Sequence, residues 1–131
     1  MKRAVRVLLV LAGLGVLGYF AMHVLYTRVP DSRLAAAEMQ TESAGLRADI
    51  AEAILTRGSP QGAGRSVKAP AALTTKYGAA AVAVAEDGRL TLRAERFGVT
   101  LEFVPALEGG GVKWRCSGTP ERDMPLGCRG G

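Results

Sequence analysis

From Ala4 to Tyr26 the chain reads AVRVLLVLAGLGVLGYFAMHVLY, 23 residues in which Arg6 and His23, one near each end, are the only acidic or basic side chains. As a helix this run spans about 34 Å at roughly 1.5 Å per residue, against a bilayer hydrocarbon core of about 30 Å. A buried core helix of that length would show a polar face, and this run has none. A transmembrane helix over residues 4–26 is the expectation. Tyr19, Phe20, His23 and Tyr26 then form a partial aromatic belt at one interface. A cleaved signal peptide fits less well, because the candidate site ending at Ala21 has Tyr19 where a small residue belongs. No cysteine follows the run closely, which excludes lipoprotein processing. Lys2, Arg3 and Arg6 lie in a very short N-terminal tail and should stay in the cytoplasm. Residues 1–3 are thus read as a cytoplasmic tip and residues 31–131 as an extracytoplasmic domain.

Charge argues against a nucleic-acid partner. The formal total is +5, and Lys2, Arg3 and Arg6 supply three of it. The rest of the chain carries 14 basic and 12 acidic groups, well mixed, for +2. A nucleic-acid binder would concentrate base in a stripe. Only Lys113, Arg115, Arg122 and Arg129 cluster, near the C-terminus, and a solvated loop surface explains them.

The two cysteines, Cys116 and Cys128, fall within the last sixteen residues. Outside the cytoplasm disulfides form and persist, and two cysteines allow one pairing. Eleven residues separate them. Closing a loop of that size contributes about 3 kcal/mol in the chain-entropy account. Metal binding is the rival reading. It lacks a histidine, since the chain's only one, His23, lies in the apolar run.

Pro30 should break or kink the first helix, and Asp31 or Ser32 can cap a second. In residues 31–57, Met39, Leu46, Ile50 and Ile54 stand at spacings of seven, four and four, one apolar stripe that Leu34 and Ala53 widen. Arg57 in the last turn and Gly58 just past it are a stop signal. Residues 59–78 read as a loop, rich in proline, glycine and serine at its start. From residue 79 the period changes to two. Val82 and Val84 share a face, as do Leu90, Leu92 and Ala94, then Val99, Leu101 and Phe103, then Val112, Trp114 and Cys116. Asp87-Gly88 is a hairpin turn signal, and Pro105 with Gly109-Gly110-Gly111 marks another. Four antiparallel strands in a meander over residues 79–116 follow, with a disulfide loop over 116–128. One wet face and one apolar face need a cover, and the amphipathic helix supplies it. The fold class is α+β: a long N-terminal helix, transmembrane then amphipathic, packed on a four-stranded antiparallel sheet.

This layout resembles the type IV pilins. The ending GVKWRCSGTPERDMPLGCRG is similar to the pilin C-terminus, where a Trp-x-Cys strand precedes a loop with Met-Pro and a closing Cys-Arg, here Trp114, Cys116, Met124, Pro125, Cys128 and Arg129. GLRADIAEAILTRGSP resembles the end of the pilin helix, and AVAVAEDGRLTLRAERFGVTLEFVP the pilin hairpins. The resemblance implies an exposed loop used in subunit packing and surface contact, with Arg115, Arg122, Met124, Pro125 and Arg129 as its interaction residues. It implies a subunit or minor component of a pilus serving adhesion or motility. The chain would sit in a bacterial inner membrane with a periplasmic domain, or in a surface pilus, with other pilin subunits or pilus assembly proteins as partners. Pilins also carry a basic leader ending in Gly, followed by a segment like Phe-Thr-Leu-Ile-Glu. The nearest counterpart, Gly18-Tyr19-Phe20, would place His23 where the Glu belongs. Pilin-type processing is therefore not expected here, and an anchored, non-polymerising accessory or regulatory protein is the alternative.

Helix packing is expected along Met39, Leu46, Ile50 and Ile54, and along a small-residue ladder of Ala12, Gly15, Gly18 and Ala21. That ladder drifts by about 60° per step around the helix, so ordinary membrane-helix composition accounts for it equally well. Catalysis has no support. Ser59, Ser66 and Ser117 have no histidine outside the apolar run, and Glu86/Asp87 and Glu121/Asp123 sit where turns favour acids. No cofactor, metal or small-molecule substrate is expected.

Overall fold

The computed structural model describes residues 2–27 and 29–130, and side chains within 4–25 and 29–130. Met1, Arg28 and Gly131, with the side chains of Lys2, Arg3 and Tyr26, lie outside the described residues, so the charge and aromatic-belt readings at those positions do too. Helix α1 (Lys2–Thr27) contains a stretch, Ala4–Leu25, long and apolar enough to cross a membrane, and none of it is buried.

A second helical segment is amphipathic, as its pattern requires. It comprises α2 (Asp31–Glu42) and α3 (Ala44–Arg57), where one continuous helix was expected. Ser43 lies between them and is fully buried, with its hydroxyl donating to the Gln40 carbonyl at 3.0 Å. The break is slight, because Ser43 N still bonds Met39 O and Arg47 N still bonds Ser43 O. Pro30, rather than Asp31 or Ser32, occupies the N-cap position, and its carbonyl accepts from Arg33 and Leu34. Asp31 is the first helical residue, where a negative charge favours the N-terminal end of the helix dipole. At the other end Gly58 takes φ +73°, and its N–H closes on Ile54 O.

The sheet has five strands, not four. They are β1 (Ala72–Thr75), β2 (Gly78–Val84), β3 (Leu90–Ala94), β4 (Val99–Glu108) and β5 (Gly111–Thr119), antiparallel in the order β1-β2-β3-β4-β5. The span 59–78, expected to be a loop, holds β1 and a one-turn helix, α4 (Ala63–Ser66). Thr75 lies opposite Gly78 at the β1–β2 hairpin, and the Thr75 hydroxyl donates to Gly78 O at 2.8 Å. The Asp87-Gly88 turn is as expected. Gly88 takes φ +80° and is buried beneath Ile50 and Pro105, so both its conformation and its space favour glycine. The β3–β4 connection is a tight 3-10 turn over Glu95–Phe97. Pro105 does not turn the chain. β4 runs on to Glu108, with Pro105 opposite Trp114. β3 begins at Leu90, opposite Phe103, so nothing pairs with β4 beyond that point on the β3 side and the missing proline N–H costs no ladder bond.

The core lies between the helices and one face of this sheet. Met39, Ile50 and Ile54 are fully buried, and Leu46 nearly so, against Leu90, Leu92, Val99, Leu101 and Phe103. Val82, Val84, Val112, Trp114 and Cys116 flank the core, partly buried. Each fully buried aliphatic or aromatic side chain contributes about 1.5–3 kcal/mol relative to exposure. Ala35 and Ala36 are also buried, where the helix lies close to the sheet.

Candidate functional site

Cys116 and Cys128 are joined, which closes the C-terminal segment onto β5. The closed loop is more structured than its spacing indicates. β5 continues three residues past Cys116, pairing Ser117, Gly118 and Thr119 with Glu102, Leu101 and Thr100. The chain then leaves the sheet at Pro120, makes a 3-10 turn over Glu121–Asp123, and makes another over Leu126–Cys128.

Met124 is the pivot of this loop. It was expected at the surface as an interaction residue, but it is fully buried and belongs to the core cluster. The reason lies in Gly118. A Cβ there would collide with the Met124 sulfur and the Thr100 carbonyl, so the missing side chain opens the slot that the methionine fills. Three polar contacts lock the segment around it. The Arg129 side chain donates from Nε to Met124 O at 2.8 Å. Glu121 Oε1 accepts from Gly130 N at 3.1 Å. Arg33, from the first turn of α2, donates from Nη2 to Arg122 O at 2.9 Å. The last contact ties the loop to the start of the helical segment, 89 residues away in sequence.

Of the other loop residues singled out in the sequence, Arg122 and Arg129 are exposed and Pro125 is half-buried. Arg115 is exposed but adjoins inward-facing Cys116 on β5, so strand alternation sends it to the opposite, solvent-facing side of the sheet. The loop therefore groups Arg122, Pro125 and Arg129 and leaves Arg115 apart. Leu126, not singled out in the sequence, is 83% exposed at the loop tip between Pro125 and Gly127. A lone apolar residue in a turn has no periodicity to flag it.

Along the helices, Met39, Leu46, Ile50 and Ile54 all face the sheet. Ala12, Gly15, Gly18 and Ala21 are all exposed along α1, and the Tyr19 and His23 rings lie 5.8 Å apart between centroids, tilted by 49°. Arg47 spans the α2–α3 junction. Its guanidinium lies 4.6 Å from the Phe103 ring centroid, and Nη2 donates to Gln40 O at 3.0 Å. Burial pushes its pKa down from the usual arginine value. Its Nε, like that of Arg33, is buried with no hydrogen-bond partner.

The architecture contains an apolar helix, an amphipathic helical layer on a meander sheet, and a covalently closed loop with a buried plug and an exposed rim. Such a layout can hold and present surfaces. The protein family described as Pilin (bacterial filament) has a model that matches residues 32–129. No curated protein and no solved structure matches the chain.

Proposed function

The chain belongs to the pilin family, and from that premise we propose that it is a type IV pilin-like subunit, major or minor, held in the bacterial inner membrane by α1 until it enters a filament. The observation that carries this reading is the closed loop. The family match begins at Ser32 and ends at Arg129, so it takes in the disulfide, the Met124 plug and the Arg129 clasp together. In this reading residues 31–131 lie outside the cytoplasm, where the disulfide persists. The rim of Arg122, Leu126 and Arg129 is presented for adhesion or motility contacts. Other pilin subunits and pilus assembly proteins are the partners. α1 provides the apolar surface for membrane anchoring and for packing inside an assembly.

One observation favours a second reading, an anchored accessory protein that does not polymerise. No acidic residue occurs before Asp31, whereas the resemblance to pilins calls for a glutamate near the start of the apolar helix. Shearing surface filaments from cells and identifying peptides by mass spectrometry separates the two. Subunit function predicts this chain in the sheared fraction. Finding it only in the inner membrane, with the peptide preceding Arg6 intact, overturns the subunit reading in favour of the accessory one.

A further inference from the structure

Among the described residues, Asp123 is the only acidic or basic one that is almost fully buried, at 8% exposed. Its backbone is satisfied, since its N–H closes on Pro120 O at 3.0 Å. Its carboxylate is not. No hydrogen bond or ion pair reaches it among the described residues. A carboxylate held this far from water without a donor costs stability, unless a group from outside the fold supplies one.

Asp123 lines an open pocket of about 360 Å³ between the head of α2 and the first 3-10 turn of the disulfide loop. Pro30, Ser32, Arg33 and Arg122 complete the lining. Arg33 is already engaged, because its Nη2 holds Arg122 O at 2.9 Å, so it serves as a wall. The Arg122 guanidinium is exposed, and neither it nor the Ser32 hydroxyl has a partner among the described residues. No side chain caps α2 at this end. One carboxylate that lacks a donor therefore stands beside a guanidinium, a hydroxyl and a helix N-terminus, all of which favour an anion. Asp31, in the same first turn, adds a second carboxylate against the two arginines. A simple anion would be opposed by both carboxylates and would leave Asp123 without a donor. A simple cation would leave Arg122 without an acceptor. A zwitterion with a phosphate and a protonated amine satisfies both.

The pocket also has a defined depth. Pro30 follows the last residue of α1 by three, so it lies no more than about 10 Å beyond that helix. With α1 across the bilayer, that is the level of the lipid headgroups, a layer roughly 5–8 Å thick. We propose that this pocket binds the phosphoethanolamine headgroup of a phospholipid in the membrane that α1 spans. The proposal rests on the reading of α1 as a membrane anchor. The ammonium group donates to the Asp123 carboxylate, and the phosphate accepts from Arg122 and Ser32. The bound headgroup bridges α2 and the disulfide loop where Arg33 already joins them, and seats the loop on the membrane surface.

The test is native mass spectrometry of the full chain in detergent micelles with equal amounts of phosphatidylethanolamine, phosphatidylcholine and phosphatidylglycerol. The expected result is one retained phosphatidylethanolamine, favoured about tenfold over each of the others. Phosphatidylcholine has no N–H to donate to Asp123, and phosphatidylglycerol has no cation. Asp123→Asn keeps the shape and gives up the charge, so it should cut the preference over phosphatidylcholine about fivefold. Without lipid it should melt no lower than the parent chain, since it removes an unpartnered buried carboxylate. Arg122→Gln changes an exposed side chain, carries the test independently of Asp123, and should lower phosphatidylethanolamine retention about tenfold. Equal retention of phosphatidylethanolamine and phosphatidylcholine, a preference for phosphatidylglycerol, or selectivity unchanged in both variants each overturns the proposal. Soluble glycerophosphoethanolamine separates a lipid from a free headgroup compound. Lipid that stays bound at equal concentration supports the membrane assignment, and its displacement overturns it. Alkaline carbonate extraction of native membranes keeps the two readings apart. A chain that stays in the membrane but shows no selectivity loses the headgroup site and keeps the anchor. A chain that carbonate releases loses both.

Discussion

Two surface segments of similar length are held to the sheet in parallel ways. One is the connection over residues 59–71, and the other is the disulfide loop over 117–127. Each inserts one fully buried apolar side chain, Ala63 in the first and Met124 in the second. Both depend on a glycine at a close approach, Gly64 against the Ala85 carbonyl and Gly118 against Met124 and Thr100 O. An arginine clasps a backbone carbonyl in each, Arg57 to Gln61 O at 3.2 Å and Arg129 to Met124 O at 2.8 Å. Only the second has a covalent closure. The difference follows position in the chain. Residues 59–71 are held at both ends by α3 and β1. Among the described residues no strand follows β5, and the segment after it is held by side-chain contacts such as Arg33 to Arg122 O and by the disulfide. The disulfide does for the C-terminal loop what a following strand does for the connection.

Met124→Ala should have the largest effect, a loss of about 2–5 kcal/mol from an emptied core site. Cys116→Ser should follow at about 3 kcal/mol. Denaturant midpoints give both values, and limited proteolysis separates their origins. If the plug and the disulfide act as described, the cysteine variant frays the tail first, while the methionine variant loosens the core with the tail still tethered. Identical cleavage patterns for the two would mean that plug and covalent closure form one unit.

Gly64→Ala is the corresponding break in the other segment. Its new methyl would meet backbone, the Ala85 carbonyl, in place of a flexible side chain, so Gly64 N would lose its bond to Glu86 O at 3.1 Å. The cost should be about 2 kcal/mol, read as a lower melting temperature and earlier cleavage within residues 59–71. An unchanged melting temperature would show that this connection is held by its ends alone.

The same contrast explains what was legible in the sequence. Met39, Leu46, Ile50 and Ile54 were readable because helical period and burial agree over 16 residues. Strand faces such as Leu90, Leu92 and Ala94 were readable for the same reason at period two. β1 was not, because four residues following Pro70 in a glycine- and proline-rich stretch carry too short an alternation. Pro105 looked like a turn because a proline normally interrupts a ladder, and the sequence does not show that β3 has already ended. The break at Ser43 left no mark because the helical hydrogen bonds persist through it. Met124 was noticed but placed on the wrong side of the surface. Its burial depends on a vacancy at Gly118, a contact between a loop and a strand that no local pattern records.

The smallest effect separates the two arginine clasps. Arg129 Nε donates to the carbonyl of the plug residue itself in a part-buried bond, whereas Arg57 donates to Gln61 O in an exposed one. Arg129→Ala leaves the Met124 carbonyl without its partner near the core and should cost about 1 kcal/mol. Arg57→Ala exposes its acceptor to water, which replaces the lost donor, and should cost only a few tenths. Arg129→Lys keeps the charge but gives up the fork geometry of the guanidinium, so it should recover only part of the loss. Amide exchange at Cys128, whose N–H closes on Pro125 O at 2.8 Å, reads the local opening directly. Faster exchange in Arg129→Ala but not in Arg57→Ala identifies Arg129 as a clasp on the plug. Equal exchange in both leaves the disulfide and Met124 as the whole of what holds the loop.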